Sequence, residues 1–433
     1  MYSSVSLARS TAAVACLFAI VLVSTLRSEP KKTYATSSAS TDWPQFLGPN
    51  RNGISSETGL IAAWPKDGPP EMWRVKGGQG MSGLAIADGK LFTLVQKDGR
   101  QWLVCLDALT GKPHWEKDLA PEYRNQMGDG PRATPAVASD TVYAFTGEGI
   151  LAALKTADGQ VVWQKNVVSQ FGGKPAEYGM AGSPLVVGKR IVVTVGAPQA
   201  TVVALEAATG DVAWKAGQNQ PAGYSSPVIL KVADRELIAV FHGEGGLGLD
   251  PANGAELWSY PYLTDFNCNI AAPVAVDGGV FLSAGENHGS VLLALKPHGN
   301  KFDVSEVWSS QGPKSVLRNE WQTSILLDGN LYGFDNVGGA GPISHLTCID
   351  SRSGERQWQQ LRFGKGNLIA ADGKLFISTI QGELVVVNAN PKKFEELGRK
   401  MVIGKTRQAP ALAGGLLYLR DEREIVCLDV RQK

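Results

Sequence analysis

The chain has 433 residues, with 42 lysines and arginines against 41 aspartates and glutamates, for a formal net charge of +1. That balance supplies no overall field to draw in nucleic acid or an anionic membrane, and no run of like charge stands out, so nucleic-acid binding is set aside. The length exceeds the usual single-domain size, but a chain built of repeats grows by adding units, and one domain is the better count.

At the N-terminus, Arg9 precedes an apolar run from Thr11 to Leu26, followed by a polar Ser/Thr/Lys stretch through Thr41. The run has the length of a signal h-region and is short for a transmembrane helix. Residues 1–41 are therefore expected to be a signal peptide plus linker, cleaved between Ser24 and Ala39, which places the protein in the periplasm or outside the cell. The alternative is an uncleaved anchor at residues 11–26, the sole membrane contact expected. A lipoprotein reading through Ala13-Val14-Ala15-Cys16 is the weaker alternative, because the apolar run continues past Cys16 to Val23.

From there a short phrase recurs. Cys105-Leu106-Asp107 leads through Thr110-Gly111 to Trp115, and the arrangement returns at Ala153 to Trp163, Ala204 to Trp214, Gly248 to Trp258, more loosely at Ala294 to Trp308, and at Cys348 to Trp358. The period is roughly 40 to 50 residues, in the range of propellers, solenoids and arrays. Apolar alternation up to the Leu, an acidic or amide residue, a turn Gly and a Trp beyond it read as strand, tight turn, strand. Upstream of each phrase lies another hairpin, as at Asp88-Gly89, Asp277-Gly278, Asp328-Gly329 and Asp372-Gly373. Two hairpins per period make a four-stranded blade.

First-hairpin signals near Leu91, Val142, Ile191, Leu237, Val280, Leu331, Leu375 and Leu416 are each followed by a phrase at Leu106, Leu154, Leu205, Leu249, Leu295, Ile349, Val387 and Leu428. Eight pairs predict an all-β, eight-bladed β-propeller of four-stranded antiparallel blades over residues 42–433. The last phrase, Cys427-Leu428-Asp429, lacks its Trp, while Trp73 has no phrase ahead of it. The ring is thus expected to close with Met72 to Val75 as the outer strand of the blade formed around 411–429, removing open edges.

The phrase Ala-x-Asp/Lys-x-x-Thr-Gly-x-x-x-Trp resembles the tryptophan-docking repeat of pyrroloquinoline-quinone-type propellers, and Asp42-Trp43-Pro44-Gln45-Phe46-Leu47-Gly48-Pro49-Asn50 is similar to that superfamily's lead-in. The resemblance covers about residues 42–433. It implies that Trp73, Trp115, Trp163, Trp214, Trp258, Trp308 and Trp358 are inter-blade staples. Blade seven departs, since Asn388 to Met401 lacks both turn Gly and Trp. The family holds quinoprotein dehydrogenases and non-enzymatic scaffolds such as the BamB component of outer-membrane assembly, and the repeat alone does not choose between them.

Cys105, Cys348 and Cys427 occupy the phrase position that is small in other blades, which reads as a slot under the tryptophan. Cys268, between Asn267 and Asn269, is expected in a more exposed loop, and no cysteine spacing signals zinc or dithiol redox chemistry. Gly243, Gly245 and Gly248 satisfy G-x-G-x-x-G but run straight into a strand phrase, which makes them a hairpin. The five histidines are dispersed, and no metal site is predicted.

In a propeller the loops from each outer strand to the next inner strand meet around the channel mouth. Here they bring Gln126, Asp129 and Arg132; Glu177, Tyr178 and Met180; Tyr224 and Ser225; Asn267 and Asn269; Arg318, Asn319, Glu320 and Trp321; Lys365 and Asn367; Arg407 and Gln408. From these, Arg132, Glu177, Tyr178, Tyr224, Asn267, Asn269, Glu320, Trp321 and Arg407 are the candidate ligand or partner site. The expectation is an exported, non-enzymatic, monomeric ring that binds a protein partner or scaffolds assembly in the cell envelope, with no cofactor. One alternative is a quinoprotein oxidoreductase holding pyrroloquinoline quinone and calcium through Arg132, Arg407, Trp321, Glu177, Asn267 and Asp265. Another is an envelope saccharide-binding protein that stacks sugar on Trp321, Tyr178 and Tyr224.

Overall fold

The computed structural model describes residues 41–61, 64–65, 67–338 and 343–432. Its strands form eight four-stranded antiparallel sheets. Seven run inner to outer in chain order: blade 1 at 85–121, blade 2 at 136–166, blade 3 at 185–216, blade 4 at 228–261, blade 5 at 274–311, blade 6 at 325–360 and blade 7 at 366–401. Blade 8 combines Ala411–Ala413, Leu416–Arg420 and Glu424–Asp429 with Glu71–Lys76, so the ring closes as expected. The expected leader lies outside the described residues, apart from Thr41. Among those described, no helix is long and apolar enough to cross a membrane.

Local chemistry sets each hairpin. In six of the eight first turns both central residues take positive φ, as at Asp88 (49°) and Gly89 (71°) or Asp372 (50°) and Gly373 (70°), and in blades 2 and 3 only Ser139 and Gly188 do; both geometries have a twist that matches the flanking strands. In the phrase turn the Asp107 carboxylate accepts from Thr110 N (2.8 Å) and Thr110 Oγ1 (2.7 Å), and Asp350 does the same with Ser353. A bulge then shifts the outer strand by one residue, which leaves the Trp facing a small partner: Cys105 with Trp115, Ala153 with Trp163, Ala204 with Trp214, Cys348 with Trp358.

Each ring lies across the seam to the next blade. Trp73 Nε1 donates to Ala108 O (2.9 Å), Trp115 to Thr156 O (3.1 Å), Trp163 to Ala207 O (2.8 Å), Trp214 to Pro251 O (3.2 Å), Trp308 to Ser351 O (3.1 Å) and Trp358 to Asn390 O (2.8 Å). The turn glycine of the receiving blade leaves room for it: a Cβ on Gly111, Gly159, Gly210, Gly254 or Gly354 would come within 3.0 Å of the docked ring. Trp258 differs because blade 5 replaces the phrase turn with a long hairpin, Gly289–His298 and Lys301–Gln311. Its N–H has no partner among the described residues, and it lies instead on Gly246 and Gly248 of its own blade. The same long hairpin corrects the looser sequence match, since Trp308 faces Leu292 and Ala294 faces Ser305.

Two features were absent from the sequence reading. At the seam of blades 8 and 1, the buried Arg420 donates to Thr93 Oγ1 (2.6 Å), Leu94 O (2.8 Å) and Gly78 O (2.9 Å), so one side chain ties both blades together. The lead-in also crosses the channel. Trp43 pairs with Ile86 of blade 1, Pro44 O accepts from Val137 N of blade 2, Arg51 donates to Ser183 O and Pro184 O before blade 3, and Gly53 O accepts from Ala370 N of blade 7. Residues 42–53 thus close the channel with the chain's own backbone. Burial lowers the Arg51 pKa to about 9; its partners are carbonyls and the Gln45 amide oxygen (3.2 Å).

Candidate functional site

Above this plug the loops between blades enclose a cavity of about 500 Å³. Phe46 and Leu47 of the lead-in enter it, Met81, Met127, Ile270 and Leu368 add apolar surface, and Phe266, 62% exposed, stands at its lip. The volume is typical of ligand pockets, roughly 300–1,000 Å³.

Six of the nine candidate residues line this cavity: Arg132, Tyr178, Tyr224, Glu320, Trp321 and Arg407. Trp321 is hemmed by cations, with Lys365 Nζ 4.5 Å and the Arg407 guanidinium 4.7 Å from its ring centroid. Lys365 also pairs with Glu320 at 2.6 Å, while burial pushes the Glu320 carboxyl upward against that pull. Tyr178 and Tyr224 stack on each other at 5.7 Å. Arg132 sits over Tyr123 at 4.7 Å and donates to Gly128 O (2.7 Å) and Gly130 O.

The other three are placed elsewhere. Asn269 is buried, its amide donating to His242 O (2.6 Å) and Tyr262 O (3.1 Å) and accepting from Thr264 Oγ1 (3.0 Å), so it holds the loop rather than facing the cavity. Glu177 and Asn267 are exposed and border a neighbouring cleft of about 240 Å³. Sequence reasoning missed Glu286 and His288, which enter from the middle hairpin of blade 5, and also Cys268 as a lining group. Middle-hairpin turns open on the same face as the inter-blade loops, a topological signal that was available once the blades were counted.

The charges are unevenly spread. Neither Arg132 nor Arg407 forms an ion pair among the described residues, and Glu286 has no hydrogen-bond or ion-pair partner there. Burial, and then the carboxylates of Glu286, Glu177, Glu320 and Asp265, push the Cys268 thiol up to about 12. No three carboxylate, imidazole or thiol groups come together as a metal-binding set among the described residues.

Comparison with known proteins bears on the whole ring. The family model described as outer membrane protein assembly factor BamB matches residues 123–360. The BamB protein of Yersinia pestis is 23% identical over 294 residues, 66% of this chain and 71% of the relative. That of Shewanella oneidensis is 26% identical over 266 residues, 58% of this chain and 63% of the relative, so the chain spans somewhat under two thirds of its length. Among solved structures, quinohemoprotein alcohol dehydrogenase from Comamonas testosteroni superposes with a TM-score of 0.66 at 15% identity, covering 91% of this chain and 81% of the other. BamB from Moraxella catarrhalis superposes with a TM-score of 0.59 at 13% identity, covering 83% and 99%. At these identities the superpositions establish a shared fold.

Proposed function

We propose that this chain, which belongs to the family described as outer membrane protein assembly factor BamB, is a non-enzymatic protein-binding scaffold that takes part in assembly at the cell envelope. The observation that carries the reading is an apolar set on the loop face of the ring. Leu263 (71% exposed) and Phe266 (62%) follow the outer strand of blade 4, and Leu361 (63%) follows that of blade 6. Loops carried on a rigid ring are where recognition usually resides, and these side chains offer a partner apolar contact there. In this reading the leader exports the chain to the periplasm, and the ring works as a monomer against a protein partner.

The quinoprotein alternative asks for more than the cavity offers. Arg132, Arg407 and Trp321 suit a planar anion, but Glu177 and Asn267 border the neighbouring cleft and Asp265 is exposed beside His288, outside the cavity lining. Among the described residues the carboxylates do not gather into a calcium set, and residues 42–53 already occupy the axis. These residues do not fit pyrroloquinoline quinone with calcium. For a saccharide, the rings of Trp321, Tyr178 and Tyr224 already meet protein groups.

The test is site-specific photo-crosslinking in the cell envelope from positions 263, 266 and 361, with Leu109 as control. Leu109 is 64% exposed and lies in a phrase turn, on the opposite face. Adducts with an outer-membrane assembly protein from the first three positions alone are expected. Equal labelling from 109, or none from 266 and 361, would overturn the reading.

A further inference from the structure

The cavity is electrically two-ended, and blade order makes this visible. Arg407 lies on the loop between blades 7 and 8 and Arg132 on that between blades 1 and 2, so the two guanidiniums flank the seam of blades 8 and 1. Arg407 Nη1 donates to Met127 O (2.7 Å), which joins the two loops and leaves Nε and Nη2 without a partner among the described residues. Glu286 belongs to blade 5, and Cys268, whose neighbouring charges are all carboxylates, to the loop between blades 4 and 5. In a ring of eight, the seam of blades 4 and 5 is half a turn from that of blades 8 and 1. Phe46 and Leu47 from the plug add apolar surface, Met81 and Met127 lie beside Arg407, and Trp321 and the Glu320 carboxylate, already paired with Lys365, complete a mixed lining.

A polyanion would meet repulsion at one end and a simple cation at the other, whereas a ligand with separated opposite charges satisfies both. Charged groups without an ion-pair partner gain most from such a ligand, because charge-assisted hydrogen bonds are about twice as strong as neutral ones. Two methionines beside Arg407 give an adaptable surface that accepts apolar groups of varied shape. A free amino acid carries its two charges on adjacent carbons, whereas a peptide of two or three residues sets them further apart, as loops half a ring apart require.

We propose that the cavity binds a short apolar peptide with both ends free, its carboxylate held by Arg407 and Arg132 and its ammonium by Glu286. The inference is separate from the scaffold reading, since it concerns the inside of the ring mouth and not its exposed rim.

Isothermal titration of the purified chain with leucyl-phenylalanyl-leucine tests it. Saturable one-to-one binding is expected, weakened tenfold or more by either N-acetylation or C-amidation, with free leucine binding at least tenfold more weakly than the tripeptide. In Arg407→Gln the free and amidated peptides should bind alike, and in Glu286→Gln the free and acetylated peptides should bind alike. Arg407→Lys, which keeps the charge, should preserve the preference for a free carboxylate. Absence of binding at millimolar peptide, indifference to both caps, or tighter binding of pyrroloquinoline quinone with calcium would each overturn the proposal. Crosslinking from Phe266 to an envelope protein stands whichever result is obtained.

Discussion

Trp64 packs on Gly398, the residue that pairs with Val386 where other blades carry their docking tryptophan. A Cβ at position 398 would lie 2.5 Å from the Trp64 Cβ, so the glycine is what admits the ring. The missing staple of blade 7 is thus supplied by the N-terminal segment. Trp64→Ala is expected to cost about 2 kcal/mol, below the roughly 3–5 kcal/mol of a fully buried Trp, because the ring is only partly buried. Adding Gly398→Trp to that variant should restore most of the loss. Urea midpoints for the three proteins check this, and an unchanged midpoint in Trp64→Ala would show that the ring contributes nothing.

Arg318 and Asp335 form a buried ion pair, with Nε to Oδ1 at 2.6 Å and Nη2 to Oδ2 at 2.9 Å. Removing one partner strands the other charge away from water. Asp335→Asn or Arg318→Met should each destabilise by about 3–5 kcal/mol. Replacing both should cost less than the sum of the two, which a double-mutant cycle in urea measures.

His242 is buried in blade 4, its Nδ1 accepting from Glu244 N (3.2 Å), and burial lowers its pKa to about 4. Above the ordinary value of about 6.5 both folded and unfolded chains hold it neutral, and it adds no pH dependence. As pH falls from there toward 4, the unfolded chain takes up a proton that the folded chain refuses. Stability should therefore drop by up to about 3 kcal/mol across that window. His242→Gln should flatten this part of the stability–pH curve, and a slope unchanged from that of the parent would assign the acid sensitivity to other groups.

Cys268 is only partly buried, yet its thiol is pushed up to about 12, first by burial and then by the carboxylates around it. At pH 8 its alkylation by iodoacetamide should be slower than that of free cysteine by roughly a hundredfold or more, since the thiolate is the reactive form. Glu286→Gln should raise the rate. Mass spectrometry of timed samples reads both, and rapid labelling in the parent would show a thiol free of that field.

The ring was legible because its determinants are local and repeated. The Asp-Gly turns and the small residue act within one hairpin, the Trp reaches only to the adjacent blade, and the recurrence of the phrase sets the period; even the closing strand followed from Trp73 lacking a phrase. What the sequence concealed is carried by single long-range contacts. Nothing near Arg51 marks it as a buried group bonded to Ser183 and Pro184, more than 130 residues away. Trp64 sits beside prolines in a stretch without strand periodicity, and only the vacancy at Gly398 reveals its use. The site was half legible for the same reason. Blade topology pointed to Arg132, Tyr178, Tyr224, Glu320, Trp321 and Arg407, but not to which loop residues turn inward, as the opposite placements of Asn269 and Glu286 show.

Closure of blade 8 sets an order of events during synthesis. The strand Glu71–Lys76 is made before any other strand in the ring, and its partner Glu424–Asp429 is made last, with Arg74 and Glu424 separated by 350 residues. Until Glu424–Asp429 has been made the first strand has no ladder partner in its own chain. Its ladder and the Trp73–Ala108 hydrogen bond are the same whether the strand comes from its own chain or from a neighbour. Crowded nascent chains can therefore trade first strands and build linked rings without forming any new contact, so yield on refolding should fall with protein concentration more steeply than the stability of the finished ring would suggest.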